Sequence, residues 1–344
     1  MIEKYLNQRN YGCRIREYIY KGLKVLTMEN ELIKVSALAD KGTDIYEFIY
    51  KPKDIDFMWH SFNGIRNPGK YVESCEQPGG SFLDRYEGGW QELFPNIGAP
   101  CEYMGAALGT HGEVCKLPWE YTILKDQVDE IQVKFTVRTV RTPYLLEKTF
   151  TIKRNDPVLT IDEQVTNEGS AEMQFAWGHH PAVGPLFLDD SCLIHLNGQC
   201  KIKTTDIPMA LPKNSEFMWP YAKDIDGNTR DLSKVLPPDE KTYLEYAVGG
   251  IEEGKYCIEN KNLQIGFGME WDKSLFPYIW VWAPNCAQEG YPWYGRNYTL
   301  ALEPWSTMHP DLEKAISHNE GIKIRSGETI RTQLRAFAAD FSKP

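Results

Sequence analysis

Alternation of apolar and polar residues at every second position is the feature that most limits what this chain can fold into. Residues 130–137 read EIQVKFTV, which places four apolar side chains on one face of an extended segment. The pattern continues in 146–153 (LEKTFTIK) and, after an Asn-Asp-Pro break, in 158–167 (VLTIDEQVTN). A period of two residues is typical of half-buried strands, and the proline removes a hydrogen-bond donor where the chain reverses. The sequence therefore predicts antiparallel hairpins.

Similar strand-like runs recur along the chain, whereas helical periodicity is scarce. The further runs are 24–28, 32–38, 44–50, 255–260, 263–269, 277–284, 297–304 and 329–337. The clearest helical segment is 311–321, which follows Pro310 and ends near a glycine. Because no linker or low-complexity run interrupts this pattern, we expect an all-β protein, a large antiparallel β-sandwich with few short helices, in a single domain spanning 1–344.

Composition and charge exclude several classes of protein. Hydrophobic residues make up 42% of the chain and charged residues 25%, so a sizeable core can form and general disorder is excluded. Thirty-eight basic and 48 acidic residues give a net charge of −10, which nucleic acids and anionic membranes would repel. The N-terminus lacks the apolar stretch of a signal peptide, and no segment has the length of a membrane span. We expect a cytoplasmic protein with no nucleic-acid or membrane partner.

Cysteine and glycine motifs point to no familiar cofactor site. None of the cysteine spacings is CxxC, so we expect buried thiols and no structural zinc; the eight cysteines are Cys13, Cys75, Cys101, Cys115, Cys192, Cys200, Cys257 and Cys286. A nucleophile elbow of the GxSxG type, a P-loop and a strand-linked GxGxxG are all missing from the sequence.

Four segments depart from the strand pattern and collect the chemically active side chains. They are a loop rich in glycine and aromatic residues (79–98), a glycine-flanked histidine (His111 in 108–114), a His-His-Pro turn (His179 and His180 in 174–184) and a carboxylate at the end of an apolar strand (Glu303 in 300–308). A carboxylate placed where a strand leaves the core is seldom buried without a partner or a task. An ion pair of Glu303 with Arg85 or Arg296 would be the purely structural explanation.

The residue types in these segments favour a carbohydrate ligand. A metal site is disfavoured, because the spacing fits no helical HExxH arrangement and adjacent His179 and His180 point apart in an extended strand. The chain contains 10 Trp and 19 Tyr, several of them in the loop segments. Aromatic faces stack on pyranose rings, whereas carboxylates and arginines bind the hydroxyl groups. We therefore expect a small-molecule monosaccharide as the partner of a monomer or homodimer.

Three short motifs, taken together, resemble a known superfamily. Residues 109–112 (GTHG), 178–181 (GHHP) and 302–304 (LEP) are similar in type, order and approximate separation to the motifs of the galactose mutarotase-like superfamily, which includes the aldose 1-epimerases. The segment 88–95 (GGWQELFP) resembles the loop that leads into the first motif. The resemblance implies the supersandwich fold of that superfamily. It also implies interconversion of the α and β anomers of an aldose by acid–base ring opening, without a cofactor or a metal.

The resemblance also implies roles for individual residues. Glu303 is expected to act as the base at the anomeric hydroxyl, His180 as the acid at the ring oxygen, and His111 as a hydrogen-bonding partner of the sugar. The residues expected to bind substrate are Arg85, Trp90, Gln91, His179, Trp177, Asp272 and Trp305.

Two alternatives stay open at this stage. A non-catalytic carbohydrate-binding protein could use the same cleft with its aromatic residues and would need no matched acid and base. A glycoside hydrolase would need a second carboxylate at a defined separation from Glu303, for which Glu92 and Asp272 are candidates. The loop segments contain more acidic than basic side chains, which favours a neutral sugar or glycoside over a phosphorylated one.

Overall fold

Two large antiparallel sheets dominate the computed structural model, which describes residues 9–70, 82–206 and 210–342. The described residues leave out Cys75, the start of the loop 79–98 and residues 1–8. Residues 1–8 belong to the N-terminal segment from which the absence of a signal peptide was predicted.

The first sheet, called sheet I, contains twelve of the described strands. Its neighbours run in the order β1-β2-β3-β4-β6-β14-β24-β23-β20-β16-β17, and β5 pairs with β4. Its strands are β1 (Arg14–Tyr20), β2 (Leu23–Glu29), β3 (Ile33–Leu38), β4 (Asp44–Tyr50), β5 (Ile55–Asp56), β6 (Trp90–Leu93), β14 (Gly178–Val183), β16 (Lys201–Thr204), β17 (Glu216–Met218), β20 (Leu244–Gly249), β23 (Tyr278–Ala283) and β24 (Leu300–Trp305).

The second sheet, called sheet II, contains eight of the described strands in the order β15-β21-β22-β26-β12-β11-β10-β9. They are β9 (Glu120–Asp126), β10 (Glu130–Arg138), β11 (Tyr144–Lys153), β12 (Val158–Asn167), β15 (Cys192–Leu196), β21 (Lys255–Asn260), β22 (Ile265–Trp271) and β26 (Thr329–Asp340). The three segments of the predicted hairpins form β10, β11 and β12, which pair in sequence order.

The remaining elements are short. Three two-stranded ribbons pair β7 (Cys101–Tyr103) with β8 (Ala106–Leu108), β13 (Met173–Phe175) with β25 (Ile322–Ile324), and β18 (Tyr221–Lys223) with β19 (Thr229–Asp231). The α-helices are α1 (Phe82–Arg85) and α2 (Leu312–Ser317), and single 3₁₀ turns lie at Lys51–Lys53, Pro68–Lys70, Val114–Lys116 and Pro238–Glu240. Helix α2 falls inside the predicted segment 311–321, and its N-cap is Asp311, whose side chain accepts a hydrogen bond from the backbone N–H of Lys314.

The sequence alternation places one face of each sheet in a shared core. In β10, Ile131, Val133 and Phe135 are fully buried, whereas the residues between them are only partly buried. The sheets meet through aromatic contacts such as that between Phe48 of β4 and Phe267 of β22, whose ring centroids are 5.5 Å apart. The expected all-β antiparallel sandwich is confirmed.

The central strands of sheet I use their two faces differently. In β24, Leu300 and Leu302 pack into the shared core, whereas the alternate residues Glu303 and Trp305 line a cavity on the opposite face. Because side chains alternate along a strand, the same division holds for β14, β20 and β23. The centre of sheet I is therefore the floor of the candidate site.

Candidate active site

The cavity on the outer face of sheet I has a volume of about 360 Å³. Its floor carries His180 of β14, Glu245 of β20 and Glu303 of β24, and the loop residue His111 lies beside them. Aromatic side chains and prolines enclose the rest: Phe82, Tyr86, Trp280, Trp282, Tyr291, Pro292, Trp293, Trp305 and Pro310. A concave, largely apolar pocket with a few converging polar groups is the arrangement expected of a small-molecule site.

His180 and Glu303 lie opposite each other on adjacent strands. The register pairs Gly178 with Trp305 and Ala182 with Ala301, so the positions midway between them, His180 and Glu303, face each other. The distance from His180 Nε2 to Glu303 Oε1 is 3.4 Å. Antiparallel pairing thus brings together two motifs that are more than a hundred residues apart in the sequence.

Glu303 is buried with one carboxylate oxygen unused. Its side chain is almost fully enclosed, and Oε2 has no hydrogen-bond partner among the described residues. Burial raises the pKa of Glu303 well above its ordinary value, and the nearby Glu245 carboxylate raises it further. The indole N–H of Trp305 offsets part of this rise in pKa but makes no hydrogen bond of good geometry. An acceptor and a donor are therefore buried in the wall of the cavity, without a hydrogen-bond partner among the described residues.

His180 is held between Glu303 and the side chain of Tyr86. The Tyr86 hydroxyl lies 3.3 Å from Nδ1 of His180, and Trp282 packs against the imidazole with ring centroids 5.5 Å apart. Burial lowers the pKa of His180 to about 4, and the ring's own backbone carbonyl offsets only part of that effect. His180 is therefore neutral near pH 7.

A tight loop presents His111 to the same cavity. His111 has φ 60° and Gly112 has φ 70°. A Cβ at Gly112 would lie 2.3 Å from the carbonyl oxygen of Phe94, so only glycine fits there. Nδ1 of His111 lies 3.1 Å from the carbonyl oxygen of Ile97, which can only accept, so Nδ1 carries the proton and Nε2 is an acceptor.

The surroundings of His111 keep its imidazole neutral. Part of its surface stays exposed, but the ring is enclosed by Phe82 and His180, whose ring centroids lie 4.6 and 5.5 Å away. Burial therefore lowers the pKa of His111 well below its ordinary value, and proximity to His180 lowers it further. His111 can accept a hydrogen bond from a sugar hydroxyl.

Glu245 is a cavity carboxylate that the sequence did not single out. It lies on β20, where it pairs with Trp282 of β23, and its side chain accepts a hydrogen bond from the hydroxyl of Tyr243. Burial raises the pKa of Glu245. Its segment, LEYAVG, is an ordinary strand sequence, and only the pairing with β23 places the carboxylate beside Glu303.

Three residues expected to bind substrate lie on the opposite side of sheet I. The Trp90 indole donates to Nδ1 of His179, and Nε2 of His179 lies 3.1 Å from Glu163 of sheet II. Trp177 donates to Glu92 at 2.9 Å, and Lys148 forms an ion pair with the same carboxylate at 2.7 Å. The expectation placed Trp90, Trp177 and His179 in the cleft, but strand alternation directs them into the shared core.

Three further expected residues also lie away from the cavity. Gln91 belongs to a buried cluster in which it contacts Asp44 and Gly88, and Lys41 forms ion pairs with Asp44 and Glu87. Asp272 is exposed and accepts hydrogen bonds within its own turn. Arg85 ends α1, whose neighbours Phe82 and Leu83 line the cavity, but it does not line the cavity itself. Of the seven residues expected to bind substrate, Trp305 lies in the cavity.

The part of the chain that the structure describes offers no cluster of three or more His, Cys, Asp or Glu side chains arranged to hold a metal ion. No helix within 9–70, 82–206 or 210–342 is long and apolar enough to cross a membrane. The described cysteines, from Cys13 to Cys286, are free thiols.

Comparison with known proteins identifies the fold. The model of a family described as a domain of unknown function (DUF4432) matches residues 20–336. A comparison with curated proteins finds no match.

Solved structures of similar proteins cover nearly the whole chain. A Klebsiella pneumoniae protein provisionally assigned as an aldose 1-epimerase has 13% identity, covers 99% of this chain and 87% of its own, and gives a TM-score of 0.72. A galactose mutarotase-like protein from Clostridium acetobutylicum has 14% identity, coverage of 96% and 99%, and a TM-score of 0.65. A galactose mutarotase-related enzyme from Lactobacillus acidophilus has 17% identity, coverage of 95% and 98%, and a TM-score of 0.63. At these identities the likeness shows the fold, and the expected resemblance of this chain's fold to galactose mutarotase-like proteins is confirmed.

Proposed function

The chain belongs to the DUF4432 family, and we propose that it is a mutarotase, an enzyme that interconverts the α and β anomers of an aldose. One observation carries the proposal. His180 and Glu303 face each other 3.4 Å apart on the cavity floor, and the remaining oxygen of Glu303 is unused. Anomerisation needs a base at the anomeric hydroxyl and an acid at the ring oxygen, and both oxygens are bonded to the same carbon. A carboxylate and an imidazole a few ångströms apart can serve these two adjacent oxygens.

The geometry supports the following sequence of events. Glu303, as a carboxylate, removes the proton of the anomeric hydroxyl while His180 faces the ring oxygen and stabilises the charge that develops there. The C1–O5 bond breaks, the open-chain aldehyde rotates about C1–C2, and closure on the other face reverses the proton transfers. His111 accepts a hydrogen bond from a neighbouring hydroxyl and holds the ring in place, while Trp282 and Trp293 offer apolar surface to the C–H face of the sugar.

The aromatic and charge content of the cavity supports a neutral sugar. Its lining, taken over the described residues, contains no lysine or arginine, and two of its polar groups are carboxylic acids with raised pKa values. A phosphate group would meet apolar walls and carboxylates there, with no cation to pair with it.

Hydrolysis of a glycoside is the competing reaction. Glu92 faces the shared core and Asp272 is exposed, so neither can act with Glu303. Glu245 does lie in the cavity, but the imidazole beside Glu303 is the feature that anomerisation uses and a two-carboxylate hydrolase does not need. A non-catalytic sugar-binding protein would need no closely matched pair of carboxylate and imidazole such as His180 and Glu303.

Exchange NMR on unlabelled aldoses tests the proposal directly. Saturation of one anomeric proton should transfer to the other anomer faster with the protein than without it, for at least one neutral pentose or hexose. Release of a reducing sugar from aryl glycosides, without faster anomer exchange, would establish hydrolysis instead. Binding of sugars without either reaction would indicate a non-catalytic sugar-binding protein.

A further inference from the structure

Tyr86 follows helix α1, and its hydroxyl is buried against His180. The distance from the hydroxyl oxygen to Nδ1 of His180 is 3.3 Å, and in the described part of the chain this hydroxyl makes no other hydrogen bond. Burial raises the pKa of Tyr86 well above its ordinary value, so the oxygen keeps its proton. A buried O–H without an acceptor is costly, and Nδ1 is the acceptor within reach. Tyr86 therefore donates to Nδ1.

Hydrogen bonds to the backbone carbonyls of Tyr86 and Glu87, together with packing of the phenol ring, fix the position of Tyr86. Ser61 donates from its hydroxyl to the carbonyl of Tyr86 at 2.6 Å, and the backbone N–H of Ser61 donates to the carbonyl of Glu87 at 2.8 Å. The Glu87 side chain is paired with the buried Lys41. The phenol ring packs against Phe82, with ring centroids 5.2 Å apart. These contacts hold the hydroxyl in place.

A hydrogen bond received at Nδ1 decides where a neutral imidazole carries its proton. When Nδ1 accepts, Nε2 must hold the N–H. In His180, Nε2 is the nitrogen that lies 3.4 Å from Glu303, so its N–H lies on the side of the ring that faces the cavity floor. In His111 the assignment is the reverse, because Nδ1 donates to a carbonyl and Nε2 accepts. The two histidines thus present one donor and one acceptor to the same ligand.

We propose that Tyr86 is a positioning residue that holds His180 as a neutral hydrogen-bond donor, so that Glu303 alone carries the exchanged proton. The inference rests on the proposed function and deepens it. A neutral imidazole with its proton on Nε2 has no free electron pair facing the cavity, and giving up that proton would leave an imidazolate. His180 then stabilises the ring oxygen through N–H···O, as a fixed dipole rather than as a proton carrier.

One carboxyl group is enough to move the proton from one sugar oxygen to the other. Glu303 starts as a carboxylate and takes the proton of O1, the C1–O1 bond becomes a carbonyl, and the C1–O5 bond breaks. The negative charge on O5 is stabilised by Nε2–H of His180 until Glu303 returns the same proton to O5. O1 and O5 are bonded to the same carbon, so a single carboxyl group can reach both. Ring closure repeats these steps in reverse, and neither histidine changes its proton count.

Nitrogen-15 NMR of histidine-labelled protein tests the tautomer without any need for turnover. The two ring nitrogens of His180, identified by their loss in His180→Asn, should appear as an unprotonated Nδ1 and a protonated Nε2 near pH 7. They should stay so when a 1,5-anhydrohexitol, a pyranose without an anomeric hydroxyl, is added. Tyr86→Phe should move the spectrum toward a mixture of tautomers. A protonated Nδ1 in the wild type, free or with this ligand, overturns the proposal.

Kinetics of the same variants separate positioning from packing. Tyr86→Phe should lower kcat about tenfold with little change in KM, the effect of losing one hydrogen bond at the upper end of the ordinary range. Tyr144→Phe is the matched control, because its buried hydroxyl donates to the carbonyl of Gln174 away from the cavity, and its kcat should not change. Equal kcat values for Tyr86→Phe and the wild type overturn the role of Tyr86. Absence of anomerase activity in the wild type would instead refute the proposed function, and the NMR result would still stand.

Discussion

Nε2 of His180 lies 3.4 Å from Oε1 of Glu303 in a pair that is almost completely enclosed. A second pair, His195 and Glu259, has a shorter distance of 2.7 Å but lies at the surface, with half of the histidine side chain exposed. Burial changes the chemistry of the first pair. It lowers the pKa of the imidazole, which stays neutral near pH 7, and raises the pKa of the carboxyl, which makes the Glu303 carboxylate a stronger base than an exposed one. The surface pair has the same residue types and serves as an internal control for predictions about the cavity.

Glu303→Gln should abolish anomerisation while preserving the fold. The amide keeps the shape of the side chain but cannot accept the anomeric proton, and general acid–base catalysis is worth about a hundred- to ten-thousand-fold. Polarimetry on a freshly dissolved anomer measures the effect. The control is Glu259→Gln, which removes the carboxylate of the surface pair and should leave the rate unchanged. An unchanged rate in Glu303→Gln would reject Glu303 as the base.

The stability of that variant should also depend on pH. Because the folded-state pKa of Glu303 is raised above 4.5, its favourable contribution is complete at low pH and is lost as the pH rises through the folded-state value. A glutamine cannot ionise, so Glu303→Gln should become more stable relative to the wild type as the pH increases. Urea unfolding at about pH 5 and about pH 8 measures the difference in free energy of unfolding. If Glu303→Gln instead lost stability relative to the wild type between about pH 5 and about pH 8, the assigned direction of the pKa shift would be wrong.

His179 and His180 should give opposite results although they are neighbours. His180 faces the cavity, whereas His179 lies in the shared core between Trp90 and Glu163. His179→Asn leaves two buried partners unsatisfied and should cost about 1–3 kcal/mol of stability, with kcat retained in the folded fraction. His180→Asn removes the N–H that stabilises the ring oxygen and should lower kcat about a hundredfold or more, with a smaller loss of stability. Thermal unfolding and polarimetry on both variants distinguish the two roles.

The contrast between these histidines shows what the sequence could and could not predict. Alternation predicted the strands and the antiparallel sandwich, because the period of two is a local property of each segment. It also implies that His179 and His180 point to opposite faces, but a continuous buried strand gives no local sign of which face lines a cavity. That face is determined by which strands flank β14.

Glu245 and Tyr86 are cavity residues that the sequence pattern did not identify. Glu245 lies in an ordinary strand and becomes a cavity carboxylate only through the order β24-β23-β20. Tyr86 lies in the loop that the sequence marked as unusual, but Arg85, Trp90 and Gln91 in that loop were the residues expected to bind substrate. The hydrogen bond from Tyr86 to His180 spans 94 residues and has no counterpart in residue spacing.

Gly178→Ala should damage the cavity without removing any functional group. A Cβ at this position would lie 2.6 Å from Cδ1 of Trp305, so the indole would have to move from its place beside Glu303. We expect KM to rise several-fold, because the unpartnered Trp305 N–H and the cavity floor are displaced together. Gly290→Ala is the control, since a Cβ there meets no atom within 4 Å in a loop of the same cavity. Equal KM values for the two variants would show that the Trp305 indole does not contribute to sugar binding.

A phosphorylated sugar should be a poor substrate, because the described residues that line the cavity offer no cation to pair with its charge. Among the described lining residues none is a lysine or an arginine, and Lys116, which lies over the Phe82 ring, already donates to the carbonyls of Thr110 and Gly112. The dianion would have to enter a space walled by tryptophans and the carboxyl groups of Glu245 and Glu303. We expect kcat/KM for glucose or galactose to exceed that for the corresponding 6-phosphate at least tenfold. Exchange NMR on these four sugars provides the comparison, and a faster reaction with either phosphate would mean that cations outside the described lining reach the bound sugar.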